Sequence, residues 1–365
     1  MVILIPGLPH VTRALLSILC ICLTLVWGIH KWNRRHKERL ASKFPGPTAL
    51  PIIGNALTFL NRTQYDLLWI ITGLCEKYGS PCKFWLGSKL LVFITKPEDI
   101  QIILNSSKTL GKDEVYKFFE AAAGAGLVTA PLEKWKKTRK VLTPSFAPKN
   151  ITRFVPIMSE RATIIIQKMQ QHCGSSGSET TAQTNCFVLL MLATHPEYQE
   201  KVFEEQYNIF GDADTPITPD DLDKMEYLEQ VIKETLRLFP VVPIFARHAE
   251  EDTKLTGATA VIYPFFTHYD TELWTEPNKF NPDNFTAEKM ANRHKYAFIP
   301  FSGGARGCIG NKYSMMAMKT TLSIFVRQFR VSSTKKLEDI EVYVDVVLRC
   351  KGGWSMKLEQ RINQK

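Results

Sequence analysis

Phe301-Ser302-Gly303-Gly304-Ala305-Arg306-Gly307-Cys308-Ile309-Gly310 sets four glycines around one cysteine, just ahead of a helical stretch running from about Asn311 to Phe329. Glycines let a backbone bend sharply and approach a large planar ligand, while a following helix N-terminus and an arginine such as Arg306 stabilise a sulfur anion. The string reads as a device for presenting Cys308 as an exposed thiolate, and such a thiolate can ligate iron axially. The plainer reading is a glycine-rich loop around a buried, inert cysteine.

Working outward, three further patterns place chemistry-bearing residues at helical spacing. Glu234-Thr235-Leu236-Arg237 puts a carboxylate and a guanidinium on one helix face, within the amphipathic run Met225 to Phe239. Such a pair is most often solvated and weak, yet its apolar context favours burial. Trp135 and Arg139, four apart in the helical stretch Pro131 to Leu142, share a face too, as they would in any basic amphipathic helix. Gly177-Ser178-Glu179-Thr180-Thr181 opens the helical stretch Thr180 to Ala193 with an acid and an alcohol, which also suits an ordinary helix start. The remaining chain mixes helices with short hairpins: helices from Gln64 to Tyr78, Pro156 to Gln171 and Glu197 to Ile209, another beginning at Lys96-Pro97-Glu98-Asp99, and a hairpin from Lys83 to Thr95 turning at Gly87-Ser88.

The cysteine string resembles the FxxGxRxCxG haem-ligand signature of cytochrome P-450 monooxygenases, with Phe301, Gly304, Arg306, Cys308 and Gly310 filling all five fixed positions. The resemblance implies a mainly α fold with small β-sheets (α+β), a haem b whose iron Cys308 ligates, O2, and NADPH-derived electrons delivered by a reductase. It makes Glu234 and Arg237 the family's ExxR pair, which locks the core behind the haem. Trp135 and Arg139 match its WxxxR motif, which neutralises the haem propionates, and Arg247 and Arg306 would be further propionate-binding arginines. Glu179 and Thr180 become the acid and alcohol that relay protons, since splitting O–O needs two protons at the distal oxygen while the thiolate pushes electron density from below. Phe280-Asn281-Pro282-Asp283-Asn284-Phe285 resembles the PERF segment but has Asn284 where the usual arginine completes a network with the ExxR pair, so that bracing is expected to be incomplete. Together with Leu238-Phe239-Pro240-Val241-Val242-Pro243, this segment points to family four, the fatty-acid ω-hydroxylase-type group. Many of its members hold haem through a glutamate ester; here that position is Ser176, and no ester link is expected.

Only 41 positions separate Arg139 from Thr180, where the family places many more. The fold is therefore expected to lack several central helices: those that roof the substrate pocket, and the N-terminal half of the long proton-relay helix, preceded here by Cys173-Gly174-Ser175-Ser176. Gly257 to His268 is also short, its strand and turn compressed to Ala258-Thr259-Ala260-Val261-Ile262, whereas a C-terminal hairpin around Lys351-Gly352-Gly353 is kept. Two functions stay open. One is a membrane-anchored monooxygenase that inserts one oxygen atom into a lipophilic substrate, fatty-acid-like or xenobiotic. The other is a shortened, catalytically inactive haem-binding or misfolded membrane protein, because an open distal face admits water and loses substrate orientation.

Composition sets the outer bounds. With 365 residues, 45% hydrophobic and 22% charged, the chain can bury a sizeable core and is neither collagenous nor disordered. Its net charge of +10 is concentrated between Lys31 and Lys43, where six basic residues face one acid; the body has no basic stripe for phosphates, so nucleic acid is excluded as a partner. Ala14 to Ile29 carries no charge and precedes that basic run, the order of an uncleaved membrane anchor rather than a signal peptide, although a buried core helix has the same composition. Positive-inside logic then puts the body on the cytoplasmic side, and the family resemblance implies that the membrane is that of the endoplasmic reticulum. The expected organisation is an anchor over 1–30, a basic and proline-rich linker over 31–50, and a haem-binding domain over 51–365, shortened between about 140 and 180. Eight cysteines without a CxxC pair suggest neither a zinc ribbon nor a disulfide lattice.

Overall fold

The computed structural model describes residues 10–117, 120, 124–171, 179–212, 215–249, 255 and 257–361. The first helix, α1 (His10–Ala41), continues through most of the basic segment. It is bent: Ala14–Ile29 and Arg34–Ala41 meet at 56°. Among the described residues no single helix is long and apolar enough to cross a membrane, although this bent pair meets the length and composition for it. The two halves differ in what they touch. Leu15, Ile18, Leu19, Leu23 and Val26 are exposed, whereas Leu40 and Ala41 are buried in the body and the Arg34 guanidinium lies 3.8 Å over the Trp85 ring. The chain leaves α1 through Phe44-Pro45-Gly46-Pro47, and Gly46 is required there, since a Cβ would lie 2.3 Å from the Lys83 carbonyl oxygen.

Four strands form the main sheet: β1 (Cys82–Leu86), β2 (Lys89–Ile94), β3 (Phe245–His248) and β4 (Thr259–Ile262), in the order β1-β2-β4-β3. The β1–β2 hairpin turns at Gly87-Ser88, and β4 inserts parallel to β2 and antiparallel to β3. All four residues of β4 are buried, as a strand covered on both faces requires. Its register sets Arg247 of β3 opposite Ala260.

The longer helices after α1 are α2 (Leu67–Tyr78), α3 (Pro97–Asn105), α4 (Leu132–Leu142), α5 (Val155–Gln171), α6 (Glu179–Thr194), α7 (Pro196–Phe210), α8 (Glu226–Leu238) and α9 (Asn311–Gln328). The larger core lies where α6, α8 and α9 meet, around Phe187–Ala193, Leu228–Leu238 and Leu322–Val326, with Phe187 stacked on Phe239 at 4.5 Å. A second core, between the sheet, α3 and the end of α1, holds Leu90, Ile100, Tyr296 and Ile299. The architecture is mainly helical with small sheets, an α+β fold.

At the C-terminus β5 (Phe329–Ser332) pairs with β8 (Lys357–Gln360), and β6 (Val342–Val344) with β7 (Leu348–Cys350). The sequence expectation of a hairpin around Lys351-Gly352-Gly353 is corrected here: that turn carries the chain from one two-stranded sheet to the other, and the hairpin turns before Leu348.

Candidate active site

The loop before α9 is held by its own backbone. Cys308 N donates to Phe301 O at 2.9 Å and Gly307 N to Gly304 O at 3.0 Å, while Ile299 N donates to the buried His268 Nε2 at 3.0 Å. Gly304 has φ +64, and a Cβ there would lie 1.9 Å from the Leu104 carbonyl oxygen at the end of α3. That glycine seats the loop on the protein itself. Gly310 is different: it caps α9, and a Cβ would meet only Cys308 Sγ, at 3.9 Å. The space beside the thiol is open, and Cys308 is exposed and unbridged. Phe301, half-buried, packs against the larger core.

Behind this loop the structure assembles cations for which no matching anion stands among the described residues. Arg306 Nε donates to Leu110 O at 2.9 Å, its guanidinium lies 4.1 Å over the buried Trp135 ring, and both terminal nitrogens are buried without a hydrogen-bond partner. Arg247 reaches Ser302 Oγ at 3.3 Å, and Arg139 Nη1 donates to Gly307 O at 2.9 Å, tying α4 to the residue before Cys308. Arg306, for which the sequence offers both a sulfur-stabilising and a propionate-binding role, lies in this cluster. Two residues without any motif complete the group: Lys112, whose Nζ lies 4.1 Å over the Tyr116 ring, and Tyr116, whose hydroxyl accepts from Ala246 N at 3.3 Å. Burial first, then the charges of Arg247 and Arg306, push the Lys112 ammonium down to about 6. Burial and Arg247 likewise push Arg306 down to about 10. The adjacent carboxylate, Asp113, is engaged by Lys89 and Thr259.

Buried cations without an anion are costly, and two orphaned guanidinium nitrogens mark where one belongs. A planar cofactor with carboxylates along one edge and a metal accepting a thiolate fits these residues. Arg306, Arg247, Arg139, Lys112 and Trp135 would hold the carboxylates, and Cys308 the metal.

Under the site, Glu234 and Arg237 of α8 are both fully buried and paired twice, Nε to Oε2 and Nη2 to Oε1, each at 2.8 Å. Arg237 spends its other donors on the carbonyls of His268, Pro277 and Lys279, at 2.7–2.9 Å. The expectation of incomplete bracing at Asn284 is corrected. Asn284 Nδ2 donates to Glu234 Oε1 at 3.2 Å, and Arg293, stacked 3.8 Å over Trp274, donates to Asn284 O at 2.7 Å. Asn284 thus joins the Glu234–Arg237 network through its amide, and Arg293 anchors Asn284 through its carbonyl.

Glu179 and Thr180 form the first turn of α6; the Thr180 side chain is exposed, and its carbonyl accepts from Thr184 Oγ1 at 3.1 Å. Ser176, and with it the question of an ester link, lies outside the described residues, as does Cys173.

Comparison with known proteins agrees with this architecture. The family model described as Cytochrome P450 matches residues 44–178 and 175–353. The chain belongs to the cytochrome P450 family, whose members are haem monooxygenases. Among curated proteins it is similar to Cytochrome P450 4g1 of Drosophila melanogaster, at 26% identity over 90% of this chain and 91% of that protein. It is similar as well to Cytochrome P450 4V2 of Homo sapiens, at 28% over 87% and 90%, and to Cytochrome P450 4c3 of Drosophila melanogaster, at 25% over 98% and 96%. These alignments run over 507, 472 and 517 positions, so each relative carries internal residues with no counterpart in a chain of 365. The two family matches meet at 175–178, which puts the shortening in the middle of the chain.

Proposed function

We propose that this chain is a shortened, membrane-anchored haem-thiolate monooxygenase with Cys308 as the iron ligand. It would insert one atom of O2 into a lipophilic, fatty-acid-like or xenobiotic substrate with electrons from an NADPH-dependent reductase. The observation that carries the reading is the pairing of an exposed thiol having open space beside it with two orphaned Arg306 nitrogens. A bound haem supplies dioxygen activation at the iron, and the thiolate supplies electron push to it. The chain's own residues do the rest. Arg306, Arg247, Arg139 and Lys112 neutralise the propionates, and Trp135 provides a face for the Arg306 guanidinium. Glu179 and Thr180 are the proposed proton donors, and Ala14–Ile29 is the proposed anchor of an endoplasmic reticulum protein facing the cytoplasm.

A second reading, a haem-binding protein without productive turnover, is favoured by one observation: Thr180 is an exposed residue, where water competes with any ordered proton delivery. The reduced, CO-bound absorption spectrum of the membrane-expressed chain tests the site. A thiolate-type Soret band that disappears in Cys308→Ala is the expected result. A band that survives the substitution, or none in the parent chain, would overturn the ligand assignment. Substrate turnover with reductase then separates the two readings.

A further inference from the structure

We propose that a crevice between α1 and β1 seats the headgroup phosphate of an anionic glycerophospholipid. The crevice has a volume of about 290 Å³ and is lined by Trp27, Lys31, Arg34 and Glu38 of α1 and by Lys83 and Trp85 of β1. The four α1 residues recur at spacings of three and four, so they form one helix face. Three cations against one carboxylate leave the crevice positively charged. The charges are held in place: Lys31 meets Glu38 at 3.1 Å, Arg34 lies over Trp85, and Lys83 spends one of its three ammonium protons on the Ala41 carbonyl at 3.0 Å. A phosphate oxygen suits such a fixed set, because charge-assisted hydrogen bonds to it need no reordering of the donors.

Position identifies the phosphate's source. The crevice opens where uncharged Ala14–Ile29 gives way to the basic segment, so on the anchor reading, on which this inference rests, it lies at the headgroup plane. Exposed Leu50 lines the crevice itself, and the turn of α1 that enters it follows the exposed apolar run that includes Leu19, Leu23 and Val26. These residues offer apolar surface to acyl chains, which a free phosphate ion does not have.

The test uses the full chain in nonionic micelles doped equally with phosphatidylcholine and phosphatidylserine, with bound lipid counted by native mass spectrometry. Retention of one phosphatidylserine per chain is expected. Lys31→Gln with Arg34→Gln should lower its affinity at least about tenfold, while Arg35→Gln with Arg39→Gln, which removes the same charge outside the crevice, should stay within about twofold. Equal losses in the two variants would mean general polybasic attraction and overturn the site. Should the first variant misfold by circular dichroism, Lys31→Glu, on a half-exposed side chain, makes the same comparison. Displacement of the lipid by millimolar inorganic phosphate would also overturn the proposal, in favour of a free-ion site. Flotation with phosphatidylcholine-only liposomes reports on the anchor separately: a chain that does not float sinks that reading, while the micelle comparison still reports on the crevice.

Discussion

Lys112 places its ammonium beside Arg247 and Arg306, and relief of that crowding is what carboxylates at this place would bring. In the haem-free chain its titration near 6 leaves it largely neutral above neutrality, whereas the ordinary value of 10.5 keeps a lysine charged. A neighbouring carboxylate favours the charged form, so haem binding takes up a proton between those limits. Haem affinity should therefore fall as pH rises through 7 to 9, by at most about tenfold per unit, in a titration followed by tryptophan quenching. Lys112→Met should flatten that slope; an unchanged slope would place the titrating group elsewhere. Nothing in Gly111-Lys112-Asp113 announces this role. The signal is burial among other cations, which only the folded chain creates.

At the scale of an element, α8 carries the bracing. Glu234 and Arg237 desolvate each other, and the arginine gathers three carbonyls from the segment leading to Asn281. Removing one partner strands a buried charge, so Glu234→Ala should cost about 3–5 kcal/mol. Asn284→Ala should cost only about 1 kcal/mol, because Glu234 Oε1 keeps the Asn281 N–H at 2.9 Å and the Arg237 Nη2 hydrogen bond. Urea unfolding of the full chain in micelles measures both; equal costs would show that Asn284 bears more of the network than its single hydrogen bond. The same segment runs into the cysteine loop. Burial and Arg237 push His268 down to about 3, so its neutral ring can accept the Ile299 N–H two residues before Phe301. Glu234 and Arg237 were legible as a pair because three residues of helix bring them together. Arg293 was not, because its place beside Asn284 depends on the fold of the whole 281–293 segment.

For the whole molecule the decisive feature is the short interval between α4 and α6. The family model matches this chain in two parts that meet at 175–178, within that interval, and Thr180 in the described part of α6 is exposed. Water reaching Thr180, a proposed proton donor, would favour release of partly reduced oxygen over its insertion into substrate. With reductase and a fatty-acid-like substrate, the exposed Thr180 predicts poor coupling, with a large share of the NADPH electrons emerging as hydrogen peroxide beside hydroxylated product; peroxide with no product would favour the second reading, and near-stoichiometric product would show that the shortening leaves coupling intact. The sequence by itself determined the family, the cysteine loop, the Glu234–Arg237 pair and the place of the shortening. Each of these rests on residues at fixed short spacing, or on counting positions between such motifs. Only the tertiary structure decided that Lys112 and Tyr116 join Arg247 and Arg306, that Asn284 and Arg293 complete the bracing, and that the end of α1 docks against β1. Those arrangements bring together residues that neither periodicity nor local motif connects, and they form only when burial forces distant polar groups to find one another.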